Sequence, residues 1–353
     1  MSHFEDIGGW PALLTQLLER KDLVAADARE AMSTILAGEA TAAQLIAFVV
    51  ALRAKGETAE ELSGLLDAVL GAATLVPLGD DLRDRAVDIV GTGGDRSHSI
   101  NVSTMAAIVV AGAGVPICKH GARASSSQCG TADVLEALGV AIELSPEGVQ
   151  RCVEEAGIGF CMAAKFHPAF RFAAPSRREI GIPTVFNLLG PMANPGRVRR
   201  NLIGVANPAF AERMLASLRI HGAVKAWVVH GNGLDELTTT GPSTVLSLDG
   251  DEVTTFTVDP VALGLPPAIS EELTGGDPAF NAMVVRRVLD GTHGPHRDIV
   301  LLNAAAGLVV AEVADDLEQG LLIAADAVDS GRAAATLQAF VDVSQAAAAT
   351  AAP

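Results

Sequence analysis

Tyrosine is absent from this 353-residue sequence, aromatic residues make up 4% of it, cysteines number four, and 25 basic residues face 42 acidic ones. Each shortage excludes something. Cys118, Cys129, Cys152 and Cys161 form no C-x-x-C pair and have no histidine at zinc-like spacing, so they read as buried thiols in a reducing compartment. A net charge of −17 argues against a general nucleic-acid surface. No apolar run of membrane length is free of glycine and charge, and no basic segment followed by an apolar core opens the chain. A cytoplasmic protein without a membrane partner is therefore expected. Neither G-x-x-x-x-G-K-[ST] nor a G-x-G-x-x-G opening a helix directly occurs, which removes the P-loop and dinucleotide readings.

What is present is apolar residue in quantity, 49%, mostly Ala, Val and Leu among 35 glycines, enough for an ample core in two or three domains of α/β type. Residues 9–75 carry helical periodicity: Trp10, Leu13, Leu14, Leu17 and Leu18, later Leu45, Phe48, Val49 and Leu52, then Leu62, Leu65, Leu66, Val69 and Leu70. Asp27 and Thr41 stand where N-caps belong, and Gly38, Gly56 and Gly71 where helices stop. The division expected is a helical domain at 1–78, joined by part of 166–195, an α/β domain at 79–345, and an Ala-rich tail at 346–353 with order fading beyond Phe340. Pro77 to Asp84 reads as a polar linker between the two domains.

The α/β part begins with the apolar run Ala86 to Val90, which leads into Gly91-Thr92-Gly93-Gly94-Asp95. Three glycines in four positions let backbone N–H groups converge on one point, and an anion is the natural occupant. Asn101-Val102-Ser103-Thr104 then enters a helix with Ser103 or Thr104 as its cap and its positive end toward that loop. After a strand at Val115 to Cys118 come Lys119, His120, Gly121, Ala122, Arg123, Ala124, Ser125, Ser126 and Ser127, and a helix from Thr131 through Leu138. A lysine, an arginine and three hydroxyls beside a strand end suit a polyphosphate. Ser99 and Thr131 are further, lesser candidates for phosphate contacts. In an acidic protein such a site must be a local basic pocket built from few cations, backbone amides and a divalent metal.

Farther on, a helix Pro146 to Ala156 and a strand Ile158 to Met162 continue an alternation that implies parallel strands with the site at their C-terminal ends. Phe166-His167-Pro168 opens an amphipathic helix reaching Gly181 and carrying Arg171, Arg177 and Arg178, and Pro183 to Leu189 is expected to be extended. A helix at Pro208 to His221 precedes a strand, Ala223 to His230, that ends in Gly231-Asn232-Gly233-Leu234-Asp235-Glu236. On spacing alone the two adjacent carboxylates between glycines read as a simple turn. Strands at Ser243 to Leu248 and Glu252 to Val258, and helices at Asp277 to Leu289 and Asp298 to Ala311, follow.

Taken together, Gly91-Thr92-Gly93-Gly94-Asp95, Asn101-Val102-Ser103-Thr104, Lys119-His120-Gly121-x-Arg123-x-x-Ser126-Ser127, Asn187-Leu188-Leu189-Gly190-Pro191 and Gly233-Leu234-Asp235-Glu236-Leu237 resemble the signature set of the anthranilate phosphoribosyltransferases, over residues 5 to 340. The resemblance implies a homodimer formed partly through the helical domain. It also implies a fold like that of the nucleoside phosphorylases and phosphoribosyltransferases, with a mainly parallel central sheet. The implied reaction moves the phosphoribosyl group of phosphoribosyl pyrophosphate to the amine of anthranilate, in tryptophan synthesis, with no general base assigned.

Carried over residue by residue, the donor would be held by Gly91, Gly94, Asp95, Ser99, Asn101, Val102, Ser103, Thr104, Lys119, His120, Gly121, Arg123, Ser125, Ser126, Ser127 and Thr131. Anthranilate would meet Gly91, position 122 and Arg177, and Ser103, Asp235 and Glu236 would hold Mg²⁺, two ions per subunit. One departure stands out. The family reads Lys-His-Gly-Asn-Arg where this chain has Ala122, which removes a contact to the aromatic substrate at a cost of about 1 kcal/mol and enlarges the acceptor pocket. That departure leaves open a related transferase for a substituted anthranilate or another aromatic amine. A non-catalytic relative that binds phosphorylated sugars or nucleic acid is the third reading, and a pyrimidine nucleoside phosphorylase shares the fold class.

Overall fold

A computed structural model describes residue 4 and residues 8–124 and 128–350. A seven-stranded sheet forms its centre, in the order β3 (Ile158–Met162), β2 (Ile117–Gly121), β1 (Val87–Gly91), β4 (Arg200–Gly204), β5 (Lys225–Gly231), β6 (Ser243–Asp249) and β7 (Glu252–Val258). The first five are parallel, while β6 and β7 are antiparallel and finish one edge. The chain lays strands outward from β1 through β2 to β3, then returns to β4 on the other side of β1. That reversal puts a topological switch point between β1 and β4, where α/β sheets bind ligands beyond their carboxyl ends.

Side chains alternate across the strands, so Val87 and Ile89 join one apolar cluster and Val90 another. The first cluster lies under the helices Val102–Gly112 and Pro295–Val310, both nearly continuous in apolar residues because they are covered on most sides. The second joins Val90, Ile203, Val228 and Leu246 of the sheet to Phe186, Leu189 and the N-terminal helices. Those helices, Gly9–Leu18, Ala25–Leu36, Ala42–Lys55 and Ala59–Gly71, form a helical domain beside the larger α/β domain. Capping boxes at Thr41/Gln44 and Thr58/Glu61 start two of them.

Several local expectations change. Helix Ala25–Leu36 starts at Val24, leaving Asp27 in the first turn instead of at the cap. The linker contains a short helix, Asp80–Arg85, braced by Arg83–Asp80 and Arg85–Asp81 pairs. The amphipathic helix from Phe166 is broken into Ala163–Phe166, a 3₁₀ turn Pro168–Phe172 and Ala174–Ile180, because Pro168 and Pro175 each have no N–H to donate and start a new segment. Pro183 to Leu189, expected to be extended, instead contributes to the helix Val185–Met192, whose start is fixed by Asn187 Oδ1 accepting the Thr184 N–H at 3.1 Å. These pieces pack on the helical domain. The sheet also contains β4, which the sequence reading passes over.

Order does not fade at Phe340. The helix Arg332–Thr350 continues with Ser344 and Ala347 buried, Ser344 Oγ accepting the Ala141 N–H at 3.0 Å and Gln345 Nε2 donating to the Gly139 carbonyl at 2.8 Å. Alanine at the contact positions is small enough to let this helix lie close against Pro146–Ala156 and Val102–Gly112.

Candidate functional site

Strands β1 and β4 end in register, Gly91 opposite Gly204. Beyond β5 the chain turns sharply at Asn232 (φ 46°) and Gly233 (φ 92°), closes a bridge between Gly231 and Leu234, and folds back over those two ends. Both strand-end glycines are needed there. A Cβ at Gly204 would stand 1.5 Å from the Asp235 carbonyl oxygen, and one at Gly91 would stand 2.2 Å from Asp235 Oδ2. Asn303 pins the far side, accepting the Leu237 N–H at 3.0 Å and donating to the Leu237 carbonyl at 2.8 Å. Asp235 and Glu236 are thereby aimed into the switch-point crevice.

Asp235 Oδ2 accepts the Gly93 N–H at 2.7 Å and Glu236 Oε1 accepts the Ser103 N–H at 3.2 Å. Burial, and then Asp95 nearby, push the Asp235 carboxyl up to about 7. Burial and Asp235 push Glu236 well above the ordinary carboxylate range, with Lys119 opposing. Lys119 is almost wholly buried, donating to the Ile89 carbonyl and to Ser103 Oγ, the latter at 3.4 Å; burial lowers its pKa while Asp88 and Glu236 hold it up. One ammonium thus faces Asp88 and Glu236, with Asp235 and Asp95 adjoining, a set of hard oxygen donors in excess of positive charge. Among the described residues no cluster of three or more His, Cys, Asp or Glu is arranged to hold a metal unaided.

The glycine loop is left-handed at Gly93 (φ 66°) and Gly94 (φ 81°), a backbone region that favours glycine. Arg96 (φ 60°) and His98 (φ 54°) share that backbone region, a feature the sequence reading does not foresee. Asp95 Oδ1 accepts the Ser97 N–H at 3.1 Å, and Ser97 Oγ donates to Ser99 Oγ at 3.2 Å. Asn101, not Ser103 or Thr104, is the N-cap residue of Val102–Gly112, and its side chain makes no cap bond. Instead it donates to the Cys129 carbonyl at 3.2 Å and accepts from Asn281 at 2.8 Å, so it ties the two halves of the site together. Val102 is buried, Ser103 and Thr104 occupy the first turn, and Thr104 Oγ1 reaches Thr131 Oγ1 at 3.4 Å.

On the β2 side, Gly121 packs on Thr131, whose Cβ would lie 3.1 Å from a Cβ added to the glycine. Arg123 is exposed and clamped by Asp133 at 3.0 Å and Glu136 at 2.8 Å. Asp133 also accepts the Ala124 and Gly130 N–H groups at 2.8 and 2.9 Å, closing the loop. Ser125, Ser126 and Ser127 lie outside the described residues. His120 is buried, Nδ1 against the Gly190 carbonyl at 3.0 Å, its ring 5.1 Å from that of His167. His167 Nε2 meets the Ala193 carbonyl at 2.9 Å. Burial lowers His120 to about 3 and His167 to about 4, so both rings are neutral at pH 7. His120 Nε2 and His167 Nδ1 are buried without a partner among the described residues.

Ala122 is exposed, and Arg177, half-buried, lies with its guanidinium carbon 4.9 Å from the Phe186 ring centroid. Arg171 and Arg178 are exposed. The structure brings Gly91, Asp95, Ser103, Lys119, Asp235 and Glu236 into one cluster; Arg177 sits apart, on the helical-domain side. Sequence reasoning missed Asp88, His167, Asn194, Asn281 and Asn303. Only Asp88 carries a local signal, a charge inside an otherwise apolar strand.

Two family models match the chain: the glycosyl transferase family a/b domain over residues 83–334, and the glycosyl transferase family helical bundle domain over residues 11–73. An anthranilate phosphoribosyltransferase of Salinispora arenicola is 49% identical over 342 residues, 96% of this chain and 97% of the relative. One from Saccharopolyspora erythraea is 53% identical over 332 residues, 93% of each. The crystal structure of the Thermus thermophilus anthranilate phosphoribosyltransferase matches with a TM-score of 0.88 at 38% identity, covering 94% of this chain and 99% of that one. The Saccharomyces cerevisiae enzyme in complex with PRPP and Mg matches with a TM-score of 0.87 at 28% identity, covering 98% and 100%.

Proposed function

Since the chain belongs to the anthranilate phosphoribosyltransferase family, we propose that it joins the amine of anthranilate to C1 of phosphoribosyl pyrophosphate, releasing pyrophosphate in tryptophan synthesis. The observation that carries this reading is the Asp235–Glu236 pair folded over the ends of β1 and β4 against the Gly93 and Ser103 amides.

An aryl amine is neutral at pH 7 and attacks without prior deprotonation. The difficult step is heterolysis of the anomeric C–O bond, which leaves a polyanion and an electron-poor sugar carbon. The task is to stabilise charge with donors already in place. The Gly94 amide and the helix start at Thr104 would offer N–H groups to phosphate oxygens, joined by those of Gly93 and Ser103 once Asp235 and Glu236 release them. Lys119, beneath them, sets a positive potential without being exposed to water. Asn101, Ser99, Thr131 and the segment Gly121 to Arg123, continuing into Ser125, Ser126 and Ser127, would complete the donor wall. Arg177 would draw in the aromatic acid, its guanidinium suited to a carboxylate, and position 122 would border the ring.

The residues fit Mg²⁺: Asp235, Glu236 and the Ser103 hydroxyl are hard oxygens, and Asp95 beside Asp235 and Asp235 beside Glu236 add negative charge that a cation would offset. These three would hold it, two ions per subunit, with phosphate oxygens and water filling the remaining positions. When bound, it neutralises pyrophosphate as that group departs. A homodimer meeting partly through the helical domain, a cytoplasmic location, and a division near residue 78 belong to the same proposal.

The test is the loss of anthranilate fluorescence on mixing purified protein with phosphoribosyl pyrophosphate and Mg²⁺, with EDTA as control. Metal-dependent loss at an enzymatic rate is expected. No loss, with the donor shown by calorimetry to bind, would move the acceptor away from anthranilate.

A further inference from the structure

One buried carboxylate touches both walls of the site without facing either substrate. Asp88, on β1 three residues before the glycine loop, has no solvent exposure. Its Oδ1 accepts the backbone N–H of His120 at 3.1 Å, and its Oδ2 accepts from Asn194 Nδ2 at 2.7 Å. Asn194 Nδ2 also donates to the Cys118 carbonyl at 2.7 Å, and Asn194 Oδ1 accepts the Gly196 N–H at 2.8 Å. Gly196 is packed so closely that a Cβ there would stand 2.7 Å from Cys118 Sγ. The segment that Asn194 anchors is the one whose carbonyls at Gly190 and Ala193 hold the His120 and His167 rings. Strand β1, the end of β2 and the 190–196 segment therefore meet at one side chain, and that last segment in turn holds both imidazoles.

Burying a carboxylate is costly unless every lone pair is used, and deleting one partner of such a network leaves the others unsatisfied. A mere core position would be filled as well by an apolar residue. Here the acceptor oxygens are spent on two donors from separate segments, the end of β2 at His120 and the 190–196 segment.

We propose that Asp88 is a positioning residue for phosphoribosyl transfer: through His120 and Asn194 it sets the end of β2 and the 190–196 segment in register with the glycine loop that follows it on β1. The proposal rests on the transferase reading above. Transfer between two separately bound molecules demands close alignment, and a misplacement of about 1 Å costs on the order of a hundredfold. Asp88 touches neither the glycine loop nor the Asp235–Glu236 pair, and reaches the donor only through Lys119, which faces it.

Asp88→Asn keeps the shape but turns one acceptor into a donor facing the donors of Asn194 and His120. In a folded Asp88→Asn protein kcat should fall on the order of a hundredfold, the anthranilate KM should rise, and Mg²⁺–phosphoribosyl pyrophosphate binding by calorimetry should change far less than kcat. The exchange Asp88→Asn/Asn194→Asp restores the bonds to His120, Gly196 and between the two side chains, losing only that to Cys118, and should regain much of the lost kcat. Parent-like kcat in folded Asp88→Asn, or an exchange variant no better than the single one, would overturn the proposal. Should Asp88→Asn fail to fold, Asn194→Ala removes the Oδ2 bond, together with Asn194's bonds to Cys118 and Gly196, while leaving the His120 bond in place, and must show the same split between kcat and donor binding; parent-like kinetics there overturn it equally. Independently of turnover, the His120 amide resonance should move in the variant without substrates, and an unmoved resonance counts against Asp88. An inactive parent protein in the same assay would instead sink the transferase reading.

Discussion

Asp235 Oδ2 and the backbone N–H of Gly93 lie 2.7 Å apart although 142 positions separate them in the chain. The bond ties the turn after β5 to the anion loop after β1. It also occupies an amide that the loop would otherwise offer to a phosphate. Under the proposed function donor and carboxylate would compete for Gly93, and a cation on Asp235 would favour the donor.

Asp235→Asn should separate stability from activity. The folded carboxyl is raised to about 7 from its ordinary 3.8, so ionising it disfavours the folded state. This penalty is absent below about pH 4, grows as pH rises between those two values, and is constant above them. At pH 8 without metal, Asp235→Asn should melt above the parent, with the difference shrinking toward pH 4, while Mg²⁺-dependent turnover disappears. Calorimetric melting across pH 4 to 8 and the fluorescence assay check it. A lower melting temperature at pH 8 would show that the charge is compensated.

Gly204→Ala should act on the same turn from below. Its Cβ would stand 1.5 Å from the Asp235 carbonyl oxygen, so backbone has to shift. Overpacking of this kind costs about 1–3 kcal/mol. The variant should lose stability in urea and need more Mg²⁺ for half-maximal activity. Unchanged metal dependence would mean that the turn does not position Asp235 and Glu236.

Which of these features the sequence displays follows from how local they are. The glycine loop and the start of helix Val102–Gly112 are readable because glycine spacing and backbone amides act over a few residues. Strand β4 is obscured: Arg197, Arg199 and Arg200 crowd its start, and only Leu202 and Ile203 stand out, yet it forms half the switch point. The adjacent carboxylates read as a turn, which they are; their second role depends on Gly91 and Gly204 being opposite each other, a matter of strand register. Asp88 and Asn194 are 106 residues apart and meet only after the sheet has formed. Pro168 and Pro175 were signals available in the sequence, and they break the helix expected there.

Ala122→Asn asks whether the exposed alanine weakens the acceptor site. A restored side-chain hydrogen bond is worth about 1 kcal/mol, about fivefold in affinity. The anthranilate KM should fall by that factor with donor binding unchanged. A rise in KM would show that the acceptor pocket is shaped for something bulkier.

The two buried histidines predict how the fold fails in acid. His167 donates through Nε2 to the Ala193 carbonyl, stacks on Phe170 at 5.3 Å, and has no partner at Nδ1 among the described residues, so its neutral form is the one the fold accommodates. Burial holds it down to about 4, against an ordinary value of 6.5. The unfolded chain therefore takes up a proton below pH 6.5 that the folded chain refuses until about pH 4. Stability from this group is complete above pH 6.5 and is lost as pH falls through that window, about 2 kcal/mol by pH 5. His120, held to about 3 by burial and by His167, loses stability in the same direction. His167→Gln keeps a donor for Ala193 and removes the titration. Its urea midpoint should change less between pH 7 and 5 than the parent's. Equal slopes would mean that His167 takes up its proton in the folded protein, and that the acceptor wall is charged where the structure requires it neutral.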